Sequence, residues 1–214
     1  MALCSFPTAA AGLAAEAALP VPGCLLWQAT AQAIVAPQAL AQRAGFAAAA
    51  QASAARGWPV LMRGSGGGAV PQGPGVLNLA LGWPVLPEDS IDGFYRRLCA
   101  PIEQALAGLG LRAEPGATPD SFCDGSFNLA ISGRKIVGTA QRWRAGGGAR
   151  RVLAHALVLV DPPLDAGVAA VAALHADLGL GSVRREVHAA LREFVPDLDA
   201  AAFAAALERA AACA

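Results

Sequence analysis

The sequence predicts an α+β fold built on a mixed, largely antiparallel sheet flanked by helices. Two observations carry that expectation. Segments of helical and extended patterning follow one another as helix, strands, helix, strands, helices, and neighbouring strands are joined by short turns. No glycine fingerprint of a doubly wound nucleotide fold interrupts that order.

The elements follow from local chemistry. Residues 25–30 and 32–35 read as short extended segments, with Pro37 as a helix-start signal. Residues 37–56 are alanine-rich with Gly45 as the internal breaker, so a helix is expected there, closed by Gly57. W-P-V-L-M-R at 58–63 reads as a buried strand, a glycine loop follows at 64–68, and a second turn at 71–75. V-L-N-L-A-L at 76–81 alternates as the next strand. After Pro87, apolar residues from Ile91 to Leu109 recur at three- and four-residue steps, which predicts a helix stopped by Gly110. A strand begins at 111–114. Three more are expected at 127–131, 135–143 and 152–160, with turns at 132–133 and 146–148. Beyond Pro162 the pattern is helical, broken near 179–182 and restarted after Pro196.

Length and composition bound the rest. A chain of 214 residues fits one domain, expected over 25–214, whose core needs no staples. Residues 1–24 are apolar, lack a basic start and are interrupted by Glu16; they read as a mobile or loosely packed segment rather than a signal peptide. Net charge is zero and charges are spread without blocks, so no nucleic-acid partner is expected. No apolar stretch is long enough to predict a membrane span. The five cysteines (4, 24, 99, 123 and 213) are widely spaced without C-x-x-C, and the three histidines (155, 175 and 188) lack ligand-like partners. Neither a disulfide framework nor a metal site is expected, and a reducing cytoplasm is the simplest compartment.

Three fragments carry chemistry. R-G-S-G-G-G-A-V at 63–70 places Arg63 beside Gly66, Gly67 and Gly68; such a loop can approach a ligand closely and offer backbone N–H groups to an anion, or can be a plain flexible turn. D-S-F-C-D-G at 120–125 sets Cys123 on a polar loop, where a thiolate could accept an acyl group if a neighbour lowered its pKa. Lys135 is the obvious neighbour and His155 a weaker one, while Asp124 either orients a cation or caps the turn. G-R-K-I-V-G-T-A-Q-R at 133–142 contains Lys135, the single lysine among sixteen Lys and Arg residues. Strand alternation would set Lys135, Val137, Thr139 and Gln141 on one face, with Gly138, Thr139 and Ala140 leaving room for a linear acyl chain.

Together, in this order, the fragments resemble the biotin/lipoate protein ligase catalytic domain family over roughly residues 25–180. The glycine loop, the G-V-L-N run at 75–78, the lysine strand and R-V-L-A-H-A-L-V-L-V at 151–160 carry the likeness. The resemblance implies a mixed sheet of the class II aminoacyl-tRNA synthetase and biotin synthetase kind, with a tunnel for a lipoyl, octanoyl or biotinyl chain. It implies Lys135 at the activated acyl carbonyl or phosphate, and Arg63, Gly66, Gly67, Gly68 and Asn78 around the ligand. Gly138, Thr139, Gln141 and His155 complete the expected substrate-binding set.

Within that family, S-F-C-x-G twelve residues before the lysine is similar to the cysteine-dependent lipoyl/octanoyl amidotransferases. That likeness implies Cys123 and Lys135 as catalytic residues, lipoyl-carrier domains as acyl donor and acceptor, and no cofactor. The alternative is an ATP-dependent lipoate or biotin ligase using ATP and Mg. P-Q-G at 71–73, where the ligases carry an aromatic-His-Asp segment, and the expected lack of room for a further C-terminal domain favour the transferase. A non-catalytic acyl- or carrier-binding module is the third reading.

Overall fold

The computed structural model describes residues 2–146 and 149–212. Among these, the strands are β1 (Cys4–Phe6), β2 (Gly23–Ala29), β3 (Ala33–Pro37), β4 (Val60–Arg63), β5 (Val70–Gln72), β6 (Val76–Pro84), β7 (Glu114–Pro115), β8 (Leu129–Ile131), β9 (Arg134–Gly146) and β10 (Ala149–Leu159). The helices are α1 (Ala9–Ala17), α2 (Phe46–Ala55), α3 (Ile91–Ala107), α4 (Leu164–Asp177) and α5 (Ala200–Ala211). One sheet has seven strands in the order β1-β2-β6-β10-β9-β8-β7, and a second has three in the order β4-β3-β5. Among the ladders of these strands, β1–β2 and β3–β4 are parallel and the others antiparallel, so the sheet is largely antiparallel as expected.

Each strand of the central ladder has two different faces because the side-chain period is two. Val152, Ala154 and Val158 of β10, with Leu77, Leu79 and Leu81 of β6, pack in one core with α3 and α5. Ser90 caps α3, its hydroxyl accepting from the Gly93 amide at 3.0 Å. On the opposite face the register aligns His155 with Ala80 and Ala140, and Leu157 with Asn78 and Gly138. Small residues opposite large ones leave a slot on that face, and the small sheet packs in the core beyond it.

Several elements differ from expectation. Residues 4–17, in the segment expected to be loose, form β1 and α1. Glu16 of α1 is buried and accepts from Trp27 Nε1 at 2.8 Å, while Gly12 lies so close to Trp27 that a Cβ would meet its ring at 2.3 Å. That long-range contact anchors a segment whose own pattern shows little. The helix expected over 37–56 is split: β3 runs to Pro37, a 3-10 turn follows at Gln38–Gln42, and Gly45 at φ +80° opens α2. The turn expected over 71–75 begins later, because Val70–Gln72 pairs with β3 as β5. The helical pattern around 183–195 gives only 3-10 turns, at Arg185–Val187 and Leu191–Glu193. The turn expected at 146–148 falls partly outside the described residues.

Candidate active site

A narrow cavity lies in the slot, walled by Leu13, Trp27, Val35, Val70 and Leu157. Its few polar groups include the Cys123 thiol, Arg63, His155 and an amide pair in which Gln72 Nε2 donates to Asn78 Oδ1 at 2.5 Å. An apolar cavity with few polar groups suits a small ligand with one polar end.

Cys123 sits on the loop between β7 and β8 with φ +53°, a left-handed conformation uncommon for a side chain this size. The turn is held from several sides. Asn128 Nδ2 donates to the Cys123 carbonyl at 2.8 Å, and Asn128 Oδ1 accepts from the Thr139 amide at 3.0 Å. Asp124 accepts from the Thr118 amide at 2.6 Å and so caps the turn, and its charge also favours the Lys135 cation. Strain maintained by this many bonds presents the thiol to the cavity.

Lys135 Nζ donates to the carbonyls of Phe122 and Cys123 at 2.5 and 2.7 Å and lies 5.0 Å from the Phe122 ring centre. The side chain is fully buried. Burial lowers its pKa from 10.5 to about 8, with Cys123 and Asp124 opposing the shift and Arg63 adding to it. The lysine is therefore still charged at neutral pH and bound to the backbone that carries the thiol. Its side chain lies with Gly138, whose Cβ would sit 3.4 Å from Lys135 Cε.

That placement overturns simple alternation along β9. The β8–β9 register shifts between Leu129 and Ala130, and the irregularity returns Lys135 to the side of Gly138 and Ala140. Gln141, expected on the lysine's face, instead donates to the Ile91 carbonyl at 2.9 Å and accepts from Trp143 Nε1, away from the cavity. Thr139 lines the cavity, but its hydroxyl donates to the Phe127 carbonyl at 3.0 Å.

The glycine loop packs on the cysteine. A Cβ on Gly67, at φ +93°, would meet Cys123 Sγ at 2.6 Å; one on Gly68 would meet Cys123 Cα at 2.9 Å. Gly66 has open space, so its neighbours rather than Gly66 require glycine. Arg63 was expected to face an anion, yet it donates to the carbonyls of Val35, Gly66 and Gly68 and to Ser65 Oγ. It holds the loop from within; burial lowers its pKa, opposed by Cys123 and Glu16. Among the described residues, the amides of 66–68 donate no backbone hydrogen bond, leaving them available near the thiol.

Sequence reasoning missed four contributors: Glu16, Ser65, Asn128 and His188. Ser65 lies in the glycine-loop fragment without a role assigned from sequence, Asn128 bonds Cys123 and Thr139 nearby in the chain, and the contacts of Glu16 with His155 and of His188 with Phe122 span distant segments. His188 is buried, accepts from the Phe122 amide at Nε2 (3.1 Å), lies 2.7 Å from the Arg184 carbonyl at Nδ1, and stacks on Phe122 with ring centres 4.1 Å apart. Burial lowers its pKa from 6.5 to about 4, helped by nearby Lys135 and Arg185. A depressed folded pKa means the unfolded chain binds the extra proton first. Stability present above pH 6.5 is thus lost as pH falls to 4, by up to about 3 kcal/mol. Urea unfolding at pH 7, 5 and 4 should show this loss, and His188→Gln should flatten it.

An octanoyl-[GcvH]:protein N-octanoyltransferase of Kyrpidia tusciae is 46% identical over 114 residues, covering 50% of this chain and 40% of the relative. An uncharacterised protein of Cupriavidus necator, H16_B0148, is 43% identical over 150 residues, covering 64% and 59%. The matches therefore span less than two thirds of either relative's length. A crystal structure of lipoate-protein ligase A bound with ATP superposes with a TM-score of 0.76 over 98% of this chain and 82% of that one, at 24% identity, and shows the shared fold. A sequence model described as the lipoyl protein ligase A/B catalytic domain matches residues 21–212, and with nearly the whole chain inside that match, the protein belongs to this family.

Proposed function

We propose that the protein is an acyltransferase of lipoate metabolism, moving an octanoyl or lipoyl group between lysines of carrier-protein domains through a thioester on Cys123. The observation that carries this reading is the thiol itself, held in a left-handed turn at an apolar slot, with buried Lys135 and Arg63 beside it. The name of the Kyrpidia tusciae relative supports a GcvH-type domain as donor. The reading needs no cofactor, and we place the reaction in the cytoplasm; among the described residues no helix is long and apolar enough to cross a membrane.

The residues suit both halves of such a transfer. Cys123 Sγ attacks the acyl carbonyl of the donor amide, the C–N bond breaks, and the donor lysine leaves as an amine with the thiol's proton. The acceptor amine then attacks the thioester, the C–S bond breaks, and a proton returns to sulfur. In each half, charge develops on the carbonyl oxygen, where the amides of 66–68 can donate; one such donor is commonly worth about 3 kcal/mol. Lys135 holds both carbonyls flanking the sulfur's residue and so fixes the attack geometry.

Incubation with an octanoylated carrier domain should give an intact-mass adduct on Cys123 that hydroxylamine removes. No adduct, together with unchanged transfer by Cys123→Ala, would sink the thioester route. Gly67→Ala should slow adduct formation by roughly 100-fold, since its Cβ would displace the sulfur.

A second reading, ATP-dependent ligation with Mg, draws on one observation. An adjoining groove is lined by Arg142 and Arg144, neither with an ion-pair partner among the described residues. ATP–pyrophosphate exchange stimulated by free lipoate and indifferent to Cys123 would establish it instead.

A further inference from the structure

Glu16, His155 and Ser65 form a continuous chain of hydrogen-bonding groups where the acyl cavity meets the adjoining groove: Glu16 and His155 line both, and Ser65 lines the groove. His155 Nε2 lies 2.7 Å from Ser65 Oγ, and His155 Nδ1 lies 3.1 Å from Glu16 Oε2. The other oxygen of Glu16 accepts from Trp27 Nε1 at 2.8 Å, which fixes the carboxylate. Arg63 Nε donates to Ser65 Oγ at 3.1 Å. A carboxylate only accepts, so Nδ1 carries its proton toward Glu16; in the neutral imidazole Nε2 then accepts the serine's own proton, while Arg63 donates to the serine oxygen. The three residues come from α1, the glycine loop and β10, so no sequence spacing announces them.

We propose that Ser65, His155 and Glu16 are a proton relay for the transfer reaction, with His155 as its base and Glu16 as the positioning residue that supports it. The assignment rests on the thioester reading above. His155, Glu16 and Cys123 line one cavity, and Arg63 bridges from Ser65 to the loop packed on the sulfur. When the acceptor amine has attacked the thioester, its nitrogen carries a surplus proton. That proton passes to Ser65 Oγ as the serine's proton passes to His155 Nε2, forming an imidazolium beside Glu16. The C–S bond then breaks, and the proton returns through Ser65 to the sulfur. In the acylation half the same path runs in reverse order, carrying the thiol's proton to the departing donor amine. The same donor–acceptor order, from hydroxyl to imidazole to carboxylate, serves acyl transfer on unrelated folds. Here it lies where the groove meets the cavity that holds the separate thiol of Cys123.

The test separates loading from aminolysis. Full-length protein is loaded at Cys123 with S-octanoyl-N-acetylcysteamine, a thioester that transfers its acyl group without expelling an amine. It is then chased with an apo carrier domain bearing its acceptor lysine, and intact mass follows both steps. In His155→Gln the ratio of chase rate to loading rate should fall roughly 100-fold, the scale of one general acid–base group. Its chase rate should lose the wild-type pH dependence and recover in added imidazole. Glu16→Gln, which keeps a carbonyl oxygen for Trp27, should lower the ratio less. A His155→Gln chase at the wild-type rate, or slowed with an unchanged pH profile and no imidazole rescue, would overturn the relay while leaving the thioester intact. Failure of the wild-type protein to load at Cys123 would overturn the thioester reading, and the relay with it.

Discussion

Cys123→Ala is expected to lower acyl transfer by at least about 10^4-fold, the scale on which loss of a nucleophile removes covalent catalysis. The fold should tolerate it. Cys123 is small and 8% exposed, and the bonds holding its turn run through the backbone carbonyl, Asn128 and Lys135, none of which needs the sulfur. A melting temperature within a few degrees of wild type, combined with lost transfer between octanoylated and apo carrier domains, would separate chemistry from folding. Cys123→Ser should be nearly as inactive, because an alkoxide is far harder to form than a thiolate beside the same cations. Transfer that survived either change at more than a few per cent would remove Cys123 from the mechanism.

Lys135→Arg and Lys135→Met are both expected to reduce transfer by about 10^2- to 10^3-fold, from loss of the geometry that fixes Cys123. The arginine is no conservative change. Its planar fork is larger than the compact ammonium, and the pocket is closed by Gly138, Phe122 and the two carbonyls. In the methionine variant, the Phe122 carbonyl loses its ammonium partner and the Cys123 carbonyl keeps only Asn128.

Lys135 also gives stability a pH signature. Its folded pKa of about 8 lies below the unfolded 10.5, so the unfolded chain holds the proton longer. Stability should rise by about 3 kcal/mol from pH 8 to 10.5 and stay at its lower level beneath pH 8. Denaturant unfolding across that window should show the rise in wild type and its absence in Lys135→Met. At neutral pH the fold therefore holds a buried ammonium against its preference for the neutral form. Such a cost is a mark of functional sites.

Much of this was legible in the chain because local chemistry dictates it. The helical steps from Ile91 to Leu109 and the alternating strands gave an α+β fold with a largely antiparallel sheet. The glycines at 66–68, Cys123 and Lys135 stood out because each residue type departs from what its local element needs. Gln141 did not fall where alternation put it, since a register irregularity near Lys135 changes the face and nothing in G-R-K-I-V-G signals it. Arg63 was read as a ligand donor, whereas its guanidinium is consumed by the carbonyls of its own loop and of β3.

The residues that sequence could not find share one cause. Glu16 sits in an alanine-rich segment with weak patterning, and it gains a role only where α1 crosses β2 and β10. His188 lies in a stretch read as helix; it reaches the cysteine turn because residues 185–191 run beside β9, pairing with Lys135. Local sequence thus determined the fold class and singled out Cys123 and Lys135 as candidates, because periodicity and residue chemistry act over a few positions. Tertiary structure alone decided what surrounds them, because contacts between distant parts of the chain, such as Phe122 with His188 and Glu16 with His155, leave no period in the sequence.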